Sequence, residues 1–415
     1  MNIHPRPHSR PPTKRAVVIG AGIVGLTTGL ALRHAGFDVV VCERAPEIRA
    51  AGASLGLWAN ALAVFNALAV GDQVRAIGAP TEMRFHDPAG RLLDTPEFGP
   101  GDRRYLLVHR AKLNDLLADA VGRANIRPGT AFEAYEEHAD RVTVRLSDGG
   151  TEDADVLVGA DGAYSAVRAR LVPGTPAREH AGHHAWRAVI PPGGVTVPGD
   201  RLILGGDRCR GGYVRTYDGS VYWLVNQFDS PPPTGTPKEQ AMARAARLEE
   251  PGGGGVLSAL IAATPDEAIL HHRITRVPPL PRWVSARVAL AGDAAHAMSP
   301  HITAGATLGI EDAALLGRLL AGTDDGVPTD GVPTGGVPTD DAPAVDIPAV
   351  DIPAALAAYE ADRIPRYAHV AELSAAVEHA PTPREFARHY AAFSHWMLNQ
   401  RPAAPRTGTG ARRMT

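Results

Sequence analysis

The sequence predicts an α/β protein in two interleaved parts: a layer of parallel strands and helices, with an antiparallel-sheet domain inserted into it and helices at the C-terminus. Three observations predict it. Gly20-Ala21-Gly22-Ile23-Val24-Gly25, Asp161-Gly162 and Gly292-Asp293 each follow an apolar run suited to a buried strand, and each opens into a helical pattern. Two other stretches, 76–104 and 181–280, alternate polar and apolar residues with frequent Gly and Pro, as antiparallel strands do. A length of 415 residues exceeds what one hydrophobic core usually organises.

The first element is the run Ala16-Val17-Val18-Ile19, a central parallel strand, followed by a glycine turn, a helix to about His34 and a stop at Gly36. A second run, Asp38 to Cys42, ends at Glu43, which closes a Rossmann-like βαβ unit. In its turn Gly20 permits the tight bend, Gly22 lets a pyrophosphate approach the backbone, and Gly25 lets helix and strand pack closely. The unpaired amides at Ile23 and Val24 face the phosphates. Glu43, 21 residues after Gly22, accepts hydrogen bonds from an adenosine ribose, with Arg44 beside it at the same site. FAD and NAD both use this unit, so it leaves the choice between them open.

The remaining elements divide the chain further. The dinucleotide layer is expected over 15–75, 105–180 and 281–375, the inserted domain over 76–104 and 181–280, a C-terminal helix over 376–400, and disordered tails over 1–14 and 401–415. Within 323–353, GVPT recurs at 326, 331 and 336 and AVDIP at 344 and 349; these short Pro-punctuated repeats cannot bury enough surface to order themselves. An apolar share of 44%, 21% charged residues and a net charge of -3 give no electrostatic reason for a nucleic-acid or membrane partner, which leaves small molecules. Only Cys42 and Cys209 occur, which argues against a disulfide scaffold and fits a reducing cytoplasm. The polar, proline-rich N-terminus contains no apolar stretch of signal-peptide or membrane-spanning length.

Asp161-Gly162 after a strand, and Gly292-Asp293-Ala294-Ala295-His296 followed by Pro300 and Glu311-Asp312-Ala313, resemble the single-component flavoprotein aromatic hydroxylases, the p-hydroxybenzoate hydroxylase and salicylate hydroxylase family. The resemblance covers about 15 to 320 and continues weakly to about 375. It implies FAD as the cofactor. Asp293 would bind a ribityl hydroxyl, Arg110 would lie against the phosphates and ribityl chain, and Asp161 would help hold FAD and the nicotinamide donor. A carboxylate accepts strongly from a hydroxyl, and Arg offers a diphosphate a planar donor fork. Pro300, Gly305 and Ala306 would lie at the flavin, with the helix from Gly305 aiming free amides at its pyrimidine edge, and His296 would be structural beside it. Where many relatives have Gly-Gln-Gly, this chain reads Thr303-Ala304-Gly305, which bears on flavin mobility. No second glycine fingerprint follows a strand, in keeping with a family whose NADH or NADPH binds transiently.

The activity implied is an FAD-dependent monooxygenase: NADH or NADPH reduces FAD, molecular oxygen forms a C4a-hydroperoxide, and an aromatic, enolic or polyketide-like small molecule is hydroxylated. Arg210 and Tyr222, 12 apart across a hairpin tip at Asp218-Gly219, are the candidate catalytic pair, Arg for an anionic substrate and Tyr to orient or deprotonate a phenol. Arg187 is a weaker candidate for the same cavity. The pairs His183-His184 and His271-His272 have poor geometry for one metal, and no metal is assigned. Gly52-Ala53-Ser54-Leu55-Gly56 matches a hydrolase nucleophile elbow but lacks the strand that must precede one. The absence of a Trp-x-Trp pair disfavours a flavin halogenase. A flavin reductase or oxidase on the same fold, and a degenerate FAD-binding protein, remain as alternatives, as do monomer and homodimer.

Overall fold

The computed structural model describes residues 14–48, 54–93, 97–99, 101–228, 231–249, 255–322 and 350–399. The two expected tails apart from Lys14, the repeats over 323–349, and Gly52-Ala53 of the elbow pattern lie outside the described residues.

Five parallel strands form one sheet in the order Val288–Leu290, Val156–Gly159, Arg15–Ile19, Asp38–Cys42 and Ile126–Arg127. The strands preceding the three signatures are adjacent in this sheet and in register: Ile19 lies opposite Gly159, and Gly159 opposite Leu290. Gly20, Asp161 and Gly292 therefore leave the sheet at one edge, where open α/β sheets bind ligands. Helix Ile23–His34 packs against helix Gly305–Leu320, and Gly36 ends the first helix at φ +85°. Residues 16–19, Val156–Gly159 and Val288–Leu290 are apolar and buried because both faces are covered by protein.

A six-stranded sheet runs Leu270–Arg276, Arg178–Ile190, Val221–Gln227, Cys209–Arg215, Arg201–Leu204 and Phe85–His86. Its outer face buries Trp186, Tyr213, Trp223 and Val225 beneath helices Pro237–Ala245 and Val256–Ala263. Among the described residues of the stretch 76–104, only Phe85–His86 joins this sheet, parallel to Arg201–Leu204. Gly78–Glu82 instead pairs with Arg104–His109, whose other edge is taken by Ser54–Leu57. Alternation told these residues that they form strands but not which partner satisfies their backbone. A further antiparallel sheet, Phe132–Glu137, Val142–Leu146 and Thr151–Ala154, lies inside the stretch expected to be dinucleotide layer.

At the C-terminus one helix spans Ile352–Glu378, past the expected boundary at 375, and a second spans Pro383–Asn399. Thr382, which accepts from Glu385 N and donates to its carboxylate, starts the second helix anew. Among the described residues no helix is long and apolar enough to cross a membrane.

Candidate functional site

The glycine corner performs the three tasks its spacing implies. Gly20 turns at φ +104°, and a Cβ there would lie 2.5 Å from Ala160 O. A Cβ on Gly25 would lie 1.8 Å from Gly20 O, so only glycine lets the helix sit this close to the strand end. A Cβ on Gly22 would meet nothing within 4 Å: that hydrogen faces open space, the cradle a diphosphate needs. The helix behind it has no side-chain cap, which leaves its first amides for a ligand. Glu43 accepts from Ala21 N (2.8 Å) through one oxygen and from Ala45 N (2.9 Å) through the other, which fixes the loop and leaves lone pairs for a ribose. Arg44 is exposed and stands outside the cavity described next.

A cavity of about 390 Å³ lies between this strand edge and the inner face of the six-stranded sheet. Gly22, Ile23 and Val24 line it, as do Arg110, Asp293, Pro300, Gly305 and Ala306. Arg110 begins helix Arg110–Val121 and Asp293 begins helix Asp293–His296; both side chains are exposed to the cavity rather than spent on protein hydrogen bonds among the described residues. Gly305 opens a 16-residue helix with no side-chain cap, and a Cβ on it would lie 4.0 Å from Asp293 Oδ1. A free guanidinium, a free carboxylate, two uncapped helix starts and an open glycine cradle fit a flavin dinucleotide. Asp161 stands differently. Its Oδ2 accepts from Ala166 N (2.7 Å) and Val167 N (3.3 Å), so it caps helix Ala166–Leu171 and lies outside the lining. Burial pushes its pKa up despite those bonds, and its buried Oδ1 has no partner.

At the departure from Gly-Gln-Gly, Thr303 adopts φ +58°, a left-handed conformation that costs a β-branched residue roughly 1–2 kcal/mol. Gly56 makes room for it: a Cβ there would lie 2.6 Å from Thr303 Cγ2. Trp58 Nε1 donates to Thr303 O at 3.2 Å and fixes the turn.

Sequence reasoning missed what holds the Gly292-Asp293 corner. Buried Asp312 accepts from Gly292 N (2.9 Å), His296 Nε2 (2.7 Å) and Arg363 Nε (2.6 Å). Arg363 and Arg366 also grip Glu311 (3.1 and 2.7 Å). His296 is thus structural. Burial would raise the Asp312 pKa, but Arg363 and His296 hold it down to about 2. The signal was two adjacent acids on one helix and two arginines three apart on another.

Register decides the opposite wall. Arg210 pairs with Asn226, Gly212 with Leu224 and Val214 with Tyr222, so Arg210, Asn226 and Tyr222 share the face that lines the cavity, with Arg187 on the neighbouring strand. Arg210 is 5% exposed, its guanidinium lies over Phe386 (3.9 Å) and Phe228 (4.6 Å), and its Nη1 has no partner. Burial first, then Arg208, pushes its pKa down to about 9. Burial raises the Tyr222 pKa, against a hydrogen bond with Arg187, so its phenol stays protonated near neutrality. In that form it donates to a substrate oxygen and can orient it. Asn226, Ser299 and His301, also in the lining, carry no sequence motif that would have found them. His183 and His184 are buried on opposite faces of their strand, and His184 Nδ1 meets His271 Nε2 at 3.1 Å. Among the described residues no cluster of His, Cys, Asp and Glu is arranged to hold a metal ion.

Comparison with known proteins identifies the family. The family described as FAD binding domain matches residues 13–327. The aurachin C monooxygenase/isomerase of Stigmatella aurantiaca is 32% identical over 311 residues, 74% of this chain and 80% of that protein. The FAD-dependent urate hydroxylase of Klebsiella pneumoniae is 32% identical over 319 residues, 75% of this chain and 82% of that protein. The crystal structure of Klebsiella pneumoniae HpxO with FAD and uric acid superposes with a TM-score of 0.73 at 27% identity, covering 92% of this chain and 93% of that one. A salicylate hydroxylase substrate complex shares the fold, with a TM-score of 0.71 at 23% identity.

Proposed function

This chain belongs to the FAD binding domain family and is an FAD-dependent monooxygenase of the hydroxylase type; we propose that it hydroxylates an electron-rich aromatic or enolic small molecule with NADH or NADPH as reductant. One observation carries the reading. A single cavity brings the free Asp293 and Arg110 and the open glycine cradle against a sheet face bearing Arg210, Tyr222 and Asn226.

FAD, once reduced, supplies the activation of molecular oxygen and the delivery of one oxygen atom to a substrate carbon. Everything else falls to the chain. Asp293 would accept from the ribityl chain, Arg110 would meet the diphosphate, and Glu43 would hold the adenosine ribose. Arg210, a desolvated cation with an unpartnered Nη1, binds the anionic oxygen or carboxylate of the substrate. Tyr222, held by Arg187, donates to a second substrate oxygen and fixes the ring. Phe386, from helix Pro383–Asn399, closes the cavity beside Arg210 and limits water.

The test is turnover of aromatic and heterocyclic phenols under ¹⁸O-labelled oxygen with each nicotinamide. One labelled oxygen in the product for each NAD(P)H consumed is expected. Reductant consumption that yields only hydrogen peroxide across the panel would assign the chain to the oxidase or reductase alternative. Protein that purifies colourless and takes up no FAD would remove the reading altogether.

A further inference from the structure

A phenol substrate ionises in a closed cavity, yet Tyr222 stays protonated with the Arg187 cation as its hydrogen-bond partner and Arg210 is itself a cation, so neither leads the proton on to a base. Behind the cavity wall lies a hydrogen-bonded chain that reaches the surface. Ser299, 2% exposed, lines the cavity, and its Oγ donates to Glu378 Oε2 at 3.2 Å. Glu378 is 1% exposed at the last turn of helix Ile352–Glu378, and its Oε1 bonds His180 Nε2. The His180 side chain is 18% exposed and opens the chain to solvent.

We propose that Ser299, Glu378 and His180 form the proton exit of the cavity, carrying the substrate hydroxyl proton to bulk water. The inference rests on the hydroxylase reading of the same cavity.

Each transfer balances. The substrate O–H bond breaks and its proton goes to Ser299 Oγ, while the Ser299 proton moves to Glu378 Oε2. His180, in the charge-paired form of the couple, releases its Nδ1 proton to water. The couple passes from carboxylate and imidazolium to carboxylic acid and imidazole, neutral overall throughout, and one proton leaves for the phenolate formed.

The surroundings favour a carboxylate poised for this. Burial alone would push the Glu378 pKa up; His301, His180 and Arg276 bring it below the ordinary value. His301, whose Nε2 bonds Ser374 O (3.0 Å), is itself driven down to about 3 by burial and is uncharged near neutrality. His183, buried beside His180, is driven down to about 2. That leaves His180 and Arg276 to keep the carboxylate ionised. Arg208 donates to Glu378 O, and Arg210 reaches Val377 O at 3.5 Å, so both arginines reach the main chain at this helix end. A carboxylate this buried would be costly as a purely structural group when an uncharged residue could fill the space.

The experiment mixes the FAD-loaded holoprotein with 4-nitrophenol in stopped flow and follows the difference absorbance of the bound phenolate across neutral pH. Wild type is expected to bind and ionise the phenol in one phase. Glu378→Gln and His180→Ala, which do not touch the phenol, should bind it with unchanged affinity but ionise it at least about tenfold more slowly, at the low end of acid–base effects; Ser299→Ala should be slowed as much. Added imidazole should restore the rate of His180→Ala and leave Glu378→Gln slow. Should Glu378→Gln fail to fold, His180→Ala with and without imidazole decides alone. Ionisation at the wild-type rate in His180→Ala, or no rescue by imidazole, overturns the proposal. So does a wild type that holds FAD yet does not ionise the phenol, whereas failure to hold FAD would instead sink the hydroxylase reading.

Discussion

On the parallel-strand side of the cavity, the groups that face the ligand are chiefly main-chain amides and glycine hydrogens, fixed by Gly20, Gly22 and Gly25 and by the helix starting at Gly305, joined by the side chains of Arg110 and Asp293. Across the cavity they are side chains, Arg210, Tyr222 and Asn226, brought to one face by the pairing of neighbouring strands. The first wall tolerates almost no added atom, because its chemistry is the closeness of backbone to ligand. The second keeps its fold with any side chain that holds the sheet in register, so on the proposed reading it is the wall on which substrate choice can vary.

The largest effect should come from Gly25→Ala. The new Cβ would lie 1.8 Å from Gly20 O, a main-chain atom that cannot move without unpairing the strand end. Little soluble, FAD-loaded protein is expected, read as yield and thermal unfolding. A Gly25→Ala protein that purified yellow would show that the backbone wall is less rigid than this contact demands.

Next comes Asp312→Asn, which strikes the backbone wall from behind. It leaves Arg363 buried without its closest charge partner, and the loss of one member of a buried pair typically costs about 3–5 kcal/mol. The pH dependence has a definite sign. The folded pKa, about 2, lies below the ordinary aspartate value of 3.8, so the stabilisation from Asp312 is complete above the latter and disappears as pH falls through about 2. Denaturant unfolding should show wild type and variant far apart near neutrality and converging in acid.

Arg210→Met should do the reverse, sparing the fold and damaging the substrate wall. Methionine keeps apolar contact with Phe386 and Phe228 and removes the cation. FAD content should be unchanged while kcat/KM for an anionic substrate falls about 100-fold, or ~3 kcal/mol of lost charge pairing. Loss of FAD in this variant would erase the division between the two walls.

The same division explains what was legible in the sequence. Backbone chemistry needs glycine at fixed spacings, so three corners could be read from the chain and the structure sets them on adjacent strands. Side-chain chemistry on a sheet depends on register, and a shift of one residue would have turned Arg210 and Tyr222 toward the helices that cover Trp223. Asn226 was invisible for that reason, and His301, on the short helical turn Pro300–Ile302, because no motif marks it. The pairing of Arg363 was hard to read because its partners lie about 50 residues away in sequence, although both halves of it, two acids and two arginines, stand in the chain. Asp161 was read by its motif, yet its side chain serves the helix after it, a choice that turn geometry makes and spacing does not reveal. Thr303 shows a corner where the glycine preference was overridden, with Gly56 providing the space.

The smallest effect, and the sharpest separation of folding from binding, belongs to Gly22→Ala. Gly22 has φ -77° and ψ 178°, which alanine adopts without strain, and its Cβ would meet nothing within 4 Å. Loss of unfolded-chain entropy favours alanine while helix-capping preference favours glycine, so apo stability should change by less than about 1 kcal/mol. The added methyl nevertheless occupies the space through which a diphosphate reaches the amides of Ile23 and Val24. FAD affinity is expected to fall about tenfold, ~1.4 kcal/mol, measured by flavin titration of the apoprotein. Unchanged FAD affinity would mean that the dinucleotide does not approach the chain at Gly22, and the backbone wall would then owe its glycines to folding alone.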